Sequence, residues 1–401
     1  MYLYSMITQR SLFLSHLAQT STTPLAIEIE KASGVYMYTA EGTSLLDLIS
    51  GIAVSNVGHC HPEVVKAVQL QAETYMHLMV YGELIQSPQT TLAHAICKTL
   101  PSSMDRVYFV NSGSEAVEGA LKLAKRYTKK TNLLSCVQAY HGSTHGALSI
   151  MGNEFFKQAF RPLLPGVSHI RFGVEEDLGL IDEHTAALII EPIQGEAGVV
   201  TSTSHYFQKL SQRCKETGTL LIADEIQTGF GRTGTFWAFE ALGFTPDILV
   251  CAKGMGGGMP IGAFIASTQI METLSDNPFL GHITTFGGHP VSCAASLATL
   301  NIILNNDLHL QATAKGELFR SLLQHKSILE IRGKGLMMAV ELGDAALVQK
   351  TIACALKKGL LTDWFLFKDT ALRVAPPLII NEDEIKLACR ILTESLEEAC
   401  N

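Results

Sequence analysis

The stretch DILVCAKGMGGGMPIGAF (residues 247–264) places a lysine between an apolar run and a glycine-rich turn. The run 247–251 predicts a buried β-strand, and residues 261–267 predict another. Lys253 precedes the glycines, whereas the lysine of a phosphate-binding P-loop follows them. A dinucleotide-binding turn needs G-x-G-x-x-G at the start of a helix, and Met259-Pro260 interrupts that pattern. Lys253 is therefore either a surface lysine beside a turn or a reactive amine that can form a Schiff base with a carbonyl.

The composition narrows the class of protein. A chain of 401 residues predicts two domains or lobes, and 47% apolar with 17% charged residues is typical of a globular core. The net charge of −8, without a basic cluster, argues against nucleic acid and anionic membranes as partners. The apolar runs are too short to span a membrane. Nine cysteines without C-x-x-C spacing indicate neither a metal site nor a disulfide scaffold, and a cytoplasmic setting fits them.

The middle of the chain alternates short apolar strands with amphipathic helices, which predicts a mostly parallel sheet covered by helices. Strands are predicted at 106–110, 132–137, 186–190, 219–223, 247–251 and 263–266, and helices at 63–77, 88–100, 114–128 and 205–217. After about residue 300 the pattern changes to a long helix, short strands and a last helix from Glu382. We therefore expect a large domain at 51–300 and a small domain at 301–401, which the N-terminal segment 1–50 joins.

Ligands of open α/β sheets bind beyond the carboxyl ends of the strands, so the residues that follow the strands are informative. In VYFVNSGSEAVEGALKLAKRY (107–127), a strand ends at Val110 and a helix begins near Ser114. Ser112 and Glu115 have the spacing of a capping box, a common device that explains them without any ligand. The same turn also presents free backbone N–H groups, which suit a phosphate.

Two further strand ends carry polar or aromatic side chains. Asp224 ends the strand in LLIADEIQTGFGRTG (220–234); it is either a structural cap or ion pair, or a carboxylate that keeps a heteroaromatic nitrogen protonated. Gln227 could then hydrogen-bond a ring substituent. Tyr140 in VQAYHGSTHGALS (137–149) is either a core or rim residue or a platform for a planar cofactor. A phosphate site, an acidic partner for a ring nitrogen, an aromatic platform and a lysine together describe pyridoxal 5'-phosphate.

With these motifs assembled, the chain resembles the class III aminotransferases of pyridoxal-phosphate fold type I, which include acetylornithine, ornithine and 4-aminobutyrate aminotransferases. The resemblance runs from LLDLISGIAVSNVGHCHPEVVKAV (45–68) to LRVAPPLIINEDEI (372–385) and is most specific at 220–234 and 246–263. It implies an α/β fold: a large domain with a mostly parallel seven-stranded sheet, and a smaller α+β domain from both termini. It also implies a homodimer that moves an amino group from an amino-acid or ω-amino donor to a 2-oxo acid, closest to acetylornithine and ornithine aminotransferases.

The resemblance assigns roles around the cofactor. Lys253 carries it as a Schiff base and shuttles protons, and Asp224 pairs with the pyridine nitrogen. The other implied contacts are Gln227 at the ring hydroxyl, Tyr140 and Ile226 on the two ring faces, and Gly113 and Ser114 at the phosphate.

The resemblance also assigns roles towards substrate and partner. In HITTFGGHP (282–290), Thr285 matches the threonine that reaches the phosphate of the neighbouring subunit's cofactor, and Thr284 lies near the substrate. Arg373 matches the arginine that binds the α-carboxylate, a task that suits its planar fork. Glu196 in EPIQGEAG (191–198) matches the glutamate that pairs with this arginine when an ω-amino donor is bound.

The chain departs from the family pattern at the substrate site. Related enzymes carry an arginine for a distant substrate carboxylate where this chain has Ser143. Ile52 stands where ornithine aminotransferases tend to carry tyrosine, while acetylornithine enzymes resemble this chain there. His145, Arg161 or Arg171 could supply a replacement charge.

Two alternatives to transamination remain at this stage. Another reaction on the same scaffold, such as an aminomutase or a decarboxylase, is compatible with the fold. A non-catalytic binding protein would be favoured if Lys253 or Asp224 were absent, and both are present. Glu196 and Arg373 favour transamination, because its two half-reactions need a site that accepts two substrates in turn.

Overall fold

The structure is a computed structural model that describes residues 8–401. Its strands, in chain order, are β1 (Ile29–Ser33), β2 (Tyr36–Thr39), β3 (Ser44–Asp47), β4 (Arg106–Val110), β5 (Asn132–Cys136), β6 (Val167–Ile170), β7 (Thr185–Ile190), β8 (Leu220–Asp224), β9 (Ile248–Cys251), β10 (Gly262–Ala266), β11 (Glu330–Lys334), β12 (Met337–Glu341), β13 (Leu360–Leu361), β14 (Trp364–Phe365) and β15 (Lys368–Val374).

The α-helices that accompany them are α1 (Gln9–His16), α2 (Ser50–Ala53), α3 (Pro62–Thr74), α4 (Ser87–Cys97), α5 (Gly113–Thr128), α6 (His145–Ile150), α7 (Ser204–Thr217), α8 (Ala238–Leu242), α9 (Thr268–Met271), α10 (Pro290–Asn305), α11 (Leu308–Leu322), α12 (Ala345–Lys357) and α13 (Glu382–Cys400). Within residues 8–401, none of the helices combines the length and the apolar character needed to cross a membrane.

The central sheet has seven strands in the order β4-β10-β9-β8-β7-β5-β6. Neighbours from β9 to β6 pair in parallel, and β10 alone runs antiparallel to both β4 and β9. This confirms the predicted fold class, a mostly parallel seven-stranded sheet with helices. Strand β6 was not among the predicted strands, because it is only four residues long and carries Ser168 and His169 in its middle.

The predicted helix at 63–77 is shorter in the structure because Tyr75, after α3, has extended backbone angles (φ −166°, ψ 143°). The capping box predicted before α5 is only half formed. The side chain of Ser112 accepts a hydrogen bond from the backbone N–H of Glu115 at 3.2 Å. Oε2 of Glu115, however, accepts from the backbone N–H of Asn111 at 2.7 Å. The helix therefore still begins at the strand end, with its first N–H groups directed beyond the sheet.

Two smaller sheets flank the central one, with the orders β1-β2-β3-β13 and β11-β12-β15-β14. Strand β13 pairs in parallel with β3, so the N-terminal part of the chain joins the C-terminal part in one sheet. The predicted α+β part from both termini is thus present, while the boundaries at residues 50 and 300 stay a prediction.

Candidate active site

A cavity of about 410 Å³ opens where the segments after β4, β5, β7, β8 and β9 converge. These segments meet because the carboxyl ends of parallel strands lie at one edge of a sheet. The predicted site residues that line the cavity are Gly113, Ser114, Tyr140, Glu196, Asp224, Ile226, Gln227 and Lys253. The structure therefore brings most of the predicted cofactor residues together.

Lys253 lies in the turn that follows β9 and is half-buried. Its backbone has a φ of 47°, a left-handed conformation that is strained for a residue with a side chain and that the surrounding structure must stabilise. Burial lowers the pKa of its amine, although the charges of Glu196 and Asp224 oppose this effect. The amine therefore has a larger neutral fraction near neutral pH than an exposed lysine.

The glycines after Lys253 let the turn pack closely against other parts of the chain. Gly257 has a φ of +59°, and a Cβ atom there would lie 2.1 Å from Oγ1 of Thr299 in α10. A Cβ atom on Gly262 would lie 2.4 Å from the backbone oxygen of Ser112. The glycines thus hold the lysine turn against the beginning of α5 and the core.

Asp224 ends β8 and is buried at the cavity floor. Its Oδ2 accepts a hydrogen bond from Nδ1 of His141 at 2.6 Å, and its Oδ1 accepts from the backbone N–H of Ile226 at 3.0 Å. Burial alone would lower the pKa of His141, but the hydrogen bond from this ring to Asp224 and the charge of the carboxylate raise it. His141 was not among the predicted site residues, although its position directly after Tyr140 at a strand end is the signal that could have identified it.

Glu191, which directly follows β7, is a second buried carboxyl group and was not among the predicted site residues. It accepts hydrogen bonds from the backbone N–H groups of Gly195 at 3.0 Å and Tyr140 at 3.1 Å. Burial raises the pKa of Glu191 to about 7. Its bonds join the segment that carries Tyr140 to the turn that carries Glu196.

Ser143 lies at the rim of the cavity, where it is exposed and its Oγ is 3.4 Å from the hydroxyl of Tyr140. The ring of Tyr140 lies 6.3 Å from that of Phe367, which in turn lies 5.2 Å from that of Phe156, between ring centroids. Two of the three candidate replacement cations are paired elsewhere, Arg161 with Glu154 at 2.7 Å and Arg171 with Asp177 at 2.6 Å. His145, the third, is exposed at the start of α6.

Arg373 lies on β15 and is buried next to the cavity. Its Nη1 and Nη2 donate to the two carboxylate oxygens of Glu196 at 3.2 and 3.1 Å, and its Nε donates to Oδ1 of Asp363 at 2.8 Å. Burial would raise the pKa of Glu196, but the charge of Arg373 lowers it overall. Burial raises the pKa of Asp363 to about 6, because its effect is larger than the lowering effect of the Arg373 charge. Ile52 lies beside Arg373 and Gln227 in a small adjoining cavity.

Thr284 and Thr285 do not line the cavity that contains Lys253. Oγ1 of Thr284 accepts a hydrogen bond from Asn111 at 3.2 Å, and Thr285 is exposed. Asn111 itself lines the cavity, so the two threonines extend from the site towards the protein surface.

The residues around the cavity fit pyridoxal phosphate. Oε1 of Gln227 and Nε2 of His141 are buried and have no hydrogen-bond partner within residues 8–401. The N-terminus of α5 offers backbone N–H groups at Gly113 and Ser114, which suit a phosphate. With an amine at Lys253 and a buried carboxylate at Asp224, each polar group of the cofactor has a counterpart of suitable chemistry.

Comparison with known proteins agrees with this set of residues. The profile of the class III aminotransferase family matches residues 17–396. The chain is 39% identical to the acetylornithine aminotransferase of Methanopyrus kandleri, covering 92% of this chain and 94% of the relative. It is 38% identical to that of Caldanaerobacter subterraneus, covering 93% and 95%. The ornithine aminotransferase of Toxoplasma gondii, solved with partial occupancy of PLP, superimposes with a TM-score of 0.90 at 29% identity over 99% of this chain and 97% of that one.

Proposed function

This chain belongs to the class III aminotransferases and is a pyridoxal-phosphate-dependent transaminase, and on that premise we propose that Lys253 is the amine that holds the cofactor. The reaction moves an amino group from an amino-acid or ω-amino donor to a 2-oxo acid. The observation that carries the assignment is one cavity that contains Lys253, Asp224 and the N-terminus of α5.

Each cavity residue then has a defined task. When bound, pyridoxal phosphate supplies an electron-accepting ring that stabilises negative charge at the reacting carbon of the donor. Burial lowers the pKa of Lys253. Its amine can therefore accept a proton from that carbon and return it to the carbon on the other side of the amino nitrogen. Asp224, oriented by His141, presents the carboxylate that favours a protonated ring nitrogen. Tyr140 and Ile226 would cover the two faces of the ring, and the unpartnered Oε1 of Gln227 could accept a hydrogen bond from the ring hydroxyl.

Arg373 and Glu196 let one site accept two substrates. We propose that Arg373 binds the carboxylate next to the reacting carbon, and that Glu196 occupies the guanidinium when a donor without such a carboxylate is bound. Their bidentate pairing at 3.1 and 3.2 Å supports this exchange, because Glu196 already holds the edge of the arginine that suits a carboxylate.

The donor is less constrained than the names of the relatives suggest. Ser143 offers no charge to a distant carboxylate, and Arg161 and Arg171 are paired with other residues. We therefore propose that donors with a neutral or cationic far end, such as diamines and ω-amino compounds, compete well with N-acetylornithine and 4-aminobutyrate.

We further propose a homodimer in which Thr285 reaches the cofactor of the partner. Thr285 is surrounded in sequence by exposed apolar side chains, among them Phe279, Ile283 and Phe286. The ring of Phe286 lies 4.8 Å from His77, which precedes a second exposed apolar segment that includes Ile85. Apolar surface of this extent on one face favours association with another copy. All nine cysteines are free thiols, which supports a cytoplasmic setting.

A screen of single half-reactions tests the proposed function. The holoenzyme is mixed with one amino compound at a time, without an acceptor, and the visible absorbance of its bound cofactor is followed. We expect amino compounds that serve as donors to bleach this band and to leave the corresponding carbonyl product in stoichiometric amount. Carbon dioxide or an isomerised amino acid, formed in place of that carbonyl product, would refute transamination.

A further inference from the structure

We propose that Asp363 is a permanent counter-ion of Arg373 that weakens the hold of the site on carboxylates and shifts its substrate class towards amines without a carboxylate next to the reacting carbon. The inference rests on the proposed role of Arg373 as the carboxylate-binding group. It concerns a residue that no sequence pattern identified.

Backbone pairing holds Asp363 in place opposite Arg373. Arg373 makes two hydrogen bonds to Asp363. Its backbone N–H donates to the backbone oxygen of Asp363 at 2.8 Å, and its Nε donates to Oδ1 of Asp363 at 2.8 Å. The neighbouring Thr362 donates from its hydroxyl to the backbone oxygen of Arg373 at 2.6 Å. Asp363 directly precedes β14, which pairs with β15, so its backbone stays beside Arg373 and its short side chain reaches Nε from there.

Glu196 is also tied to this region at its backbone, because the backbone N–H of Phe367 donates to its backbone oxygen at 3.1 Å. It differs from Asp363 in coming from the turn after β7, on the central sheet, and in reaching Arg373 through a longer side chain. It occupies the terminal Nη1–Nη2 edge of the guanidinium, and its Oε2 also accepts from the backbone N–H of Leu366 at 3.0 Å. A substrate carboxylate needs this same edge for bidentate binding. Glu196 is therefore the partner that exchanges with substrate, and Asp363 is the one that stays.

The consequence for a carboxylate substrate is electrostatic. Once Glu196 has moved away, the incoming carboxylate meets an arginine whose charge Asp363 already balances. Arg373 is 4% exposed, and the ring of Phe365 lies 4.3 Å from its Cζ, so water screens the guanidinium charge little. The substrate therefore gains the two hydrogen bonds of the guanidinium edge but little net charge attraction.

The consequence for an amine without that carboxylate is the opposite. Glu196 then remains on Arg373, and this wall of the site holds two carboxylates against one guanidinium. An excess of negative charge favours neutral and cationic substrates over anionic ones. Asp363 and Ser143 thus both disfavour substrate carboxylates. Ser143 does so far from the reacting carbon, and Asp363 does so next to it.

Removing the charge of Asp363 while keeping its hydrogen bond tests the proposal. In Asp363→Asn the amide oxygen can still accept from Nε of Arg373. The dissociation constant of glutarate, a non-reacting dicarboxylate, is measured by calorimetry on the holoenzyme of the parent and of the variant. We expect glutarate to bind the variant about threefold to tenfold more tightly, as for a charge-assisted pair that is no longer neutralised. The KM for a 2-oxo acid should fall by a similar factor, and the KM for a diamine should not fall.

Matched variants separate the possible failures. Asp177→Asn removes the charge from a remote aspartate–arginine pair, with Arg171, and should leave glutarate binding unchanged. Arg373→Gln should weaken glutarate binding; an unchanged dissociation constant there would overturn the proposed role of Arg373 and the inference with it. If Arg373→Gln weakens binding but a folded Asp363→Asn protein binds glutarate no more tightly than the parent, only the inference about Asp363 fails. Asp363→Ser, also uncharged, replaces the asparagine variant if the latter does not fold.

Discussion

Ser143→Arg restores a cation at the rim of the cavity and should raise activity towards donors with a carboxylate far from the reacting amine. A charge-assisted hydrogen bond contributes about 1.5–3 kcal/mol where water is excluded. Ser143 is exposed, and exposed ion pairs contribute only about 0.2–1 kcal/mol. Tyr140, whose hydroxyl is 3.4 Å from Ser143, is an aromatic neighbour there, and we take the upper end of this range, about 1 kcal/mol. That energy corresponds to a roughly fivefold rise in kcat/KM.

The assay compares kcat/KM for N-acetylornithine, ornithine, 4-aminobutyrate and a set of diamines in the parent and in Ser143→Arg. We expect the first three to improve roughly fivefold and the diamines to stay unchanged or decline. Ser143→Gln, which adds a long side chain without a charge, is the control for a purely steric effect. The reasoning about Ser143 is wrong if the parent strongly prefers N-acetylornithine to diamines and the arginine variant gains nothing with any carboxylate-bearing donor.

Three further predictions follow from the site and the core. Lys253→Ala should lose the visible absorbance band of the bound cofactor and abolish multiple turnover; normal turnover by this variant would remove Lys253 from its proposed role. Light scattering of the active enzyme should give a dimer or a multiple of it, because Thr285 is proposed to serve the partner's cavity, and an active monomer would contradict this. Burial raises the pKa of Glu225 to about 7, so between pH 4.5 and 7 the folded protein binds a proton that the unfolded chain has released. The free energy of unfolding should therefore fall as pH rises through this range, by up to about 1.4 kcal/mol per pH unit, and the fall should be smaller in Glu225→Gln; equal slopes in urea titrations of both proteins would show that this group does not contribute.

The central sheet and the cavity around Lys253 could be anticipated from sequence because they depend on local patterns. Apolar runs identified β4, β8 and β9, and the geometry of parallel strands then brought the residues at their carboxyl ends, such as Asp224, to one edge. Tyr140 was found in the same way, from a strand-end motif.

The features that sequence reasoning missed depend on pairing between distant segments. His141 contacts Asp224 across 83 positions, and the two meet only because β5 and β8 end at the same edge of the sheet, with β7 between them. Asp363 meets Arg373 through backbone pairing close to β13 and β14. These strands have two residues each, which is too short for a periodic pattern that would predict the pairing. The capping box was misjudged because Glu115 had a second donor, Asn111, within reach.

Side chains at the floor of the cavity are constrained by their neighbours, whereas Ser143 at its rim can be substituted. Asp224, His141 and Glu191 are buried, and each shares hydrogen bonds with another part of the chain, so a change at one of them disturbs several groups at once. Ser143 is exposed and can be replaced without breaking a buried contact. Descendants of this enzyme can therefore acquire new donors by successive rim substitutions while the floor is inherited unchanged. For the same reason, a mutant library confined to the rim should retain a far larger fraction of active members than one that includes the floor.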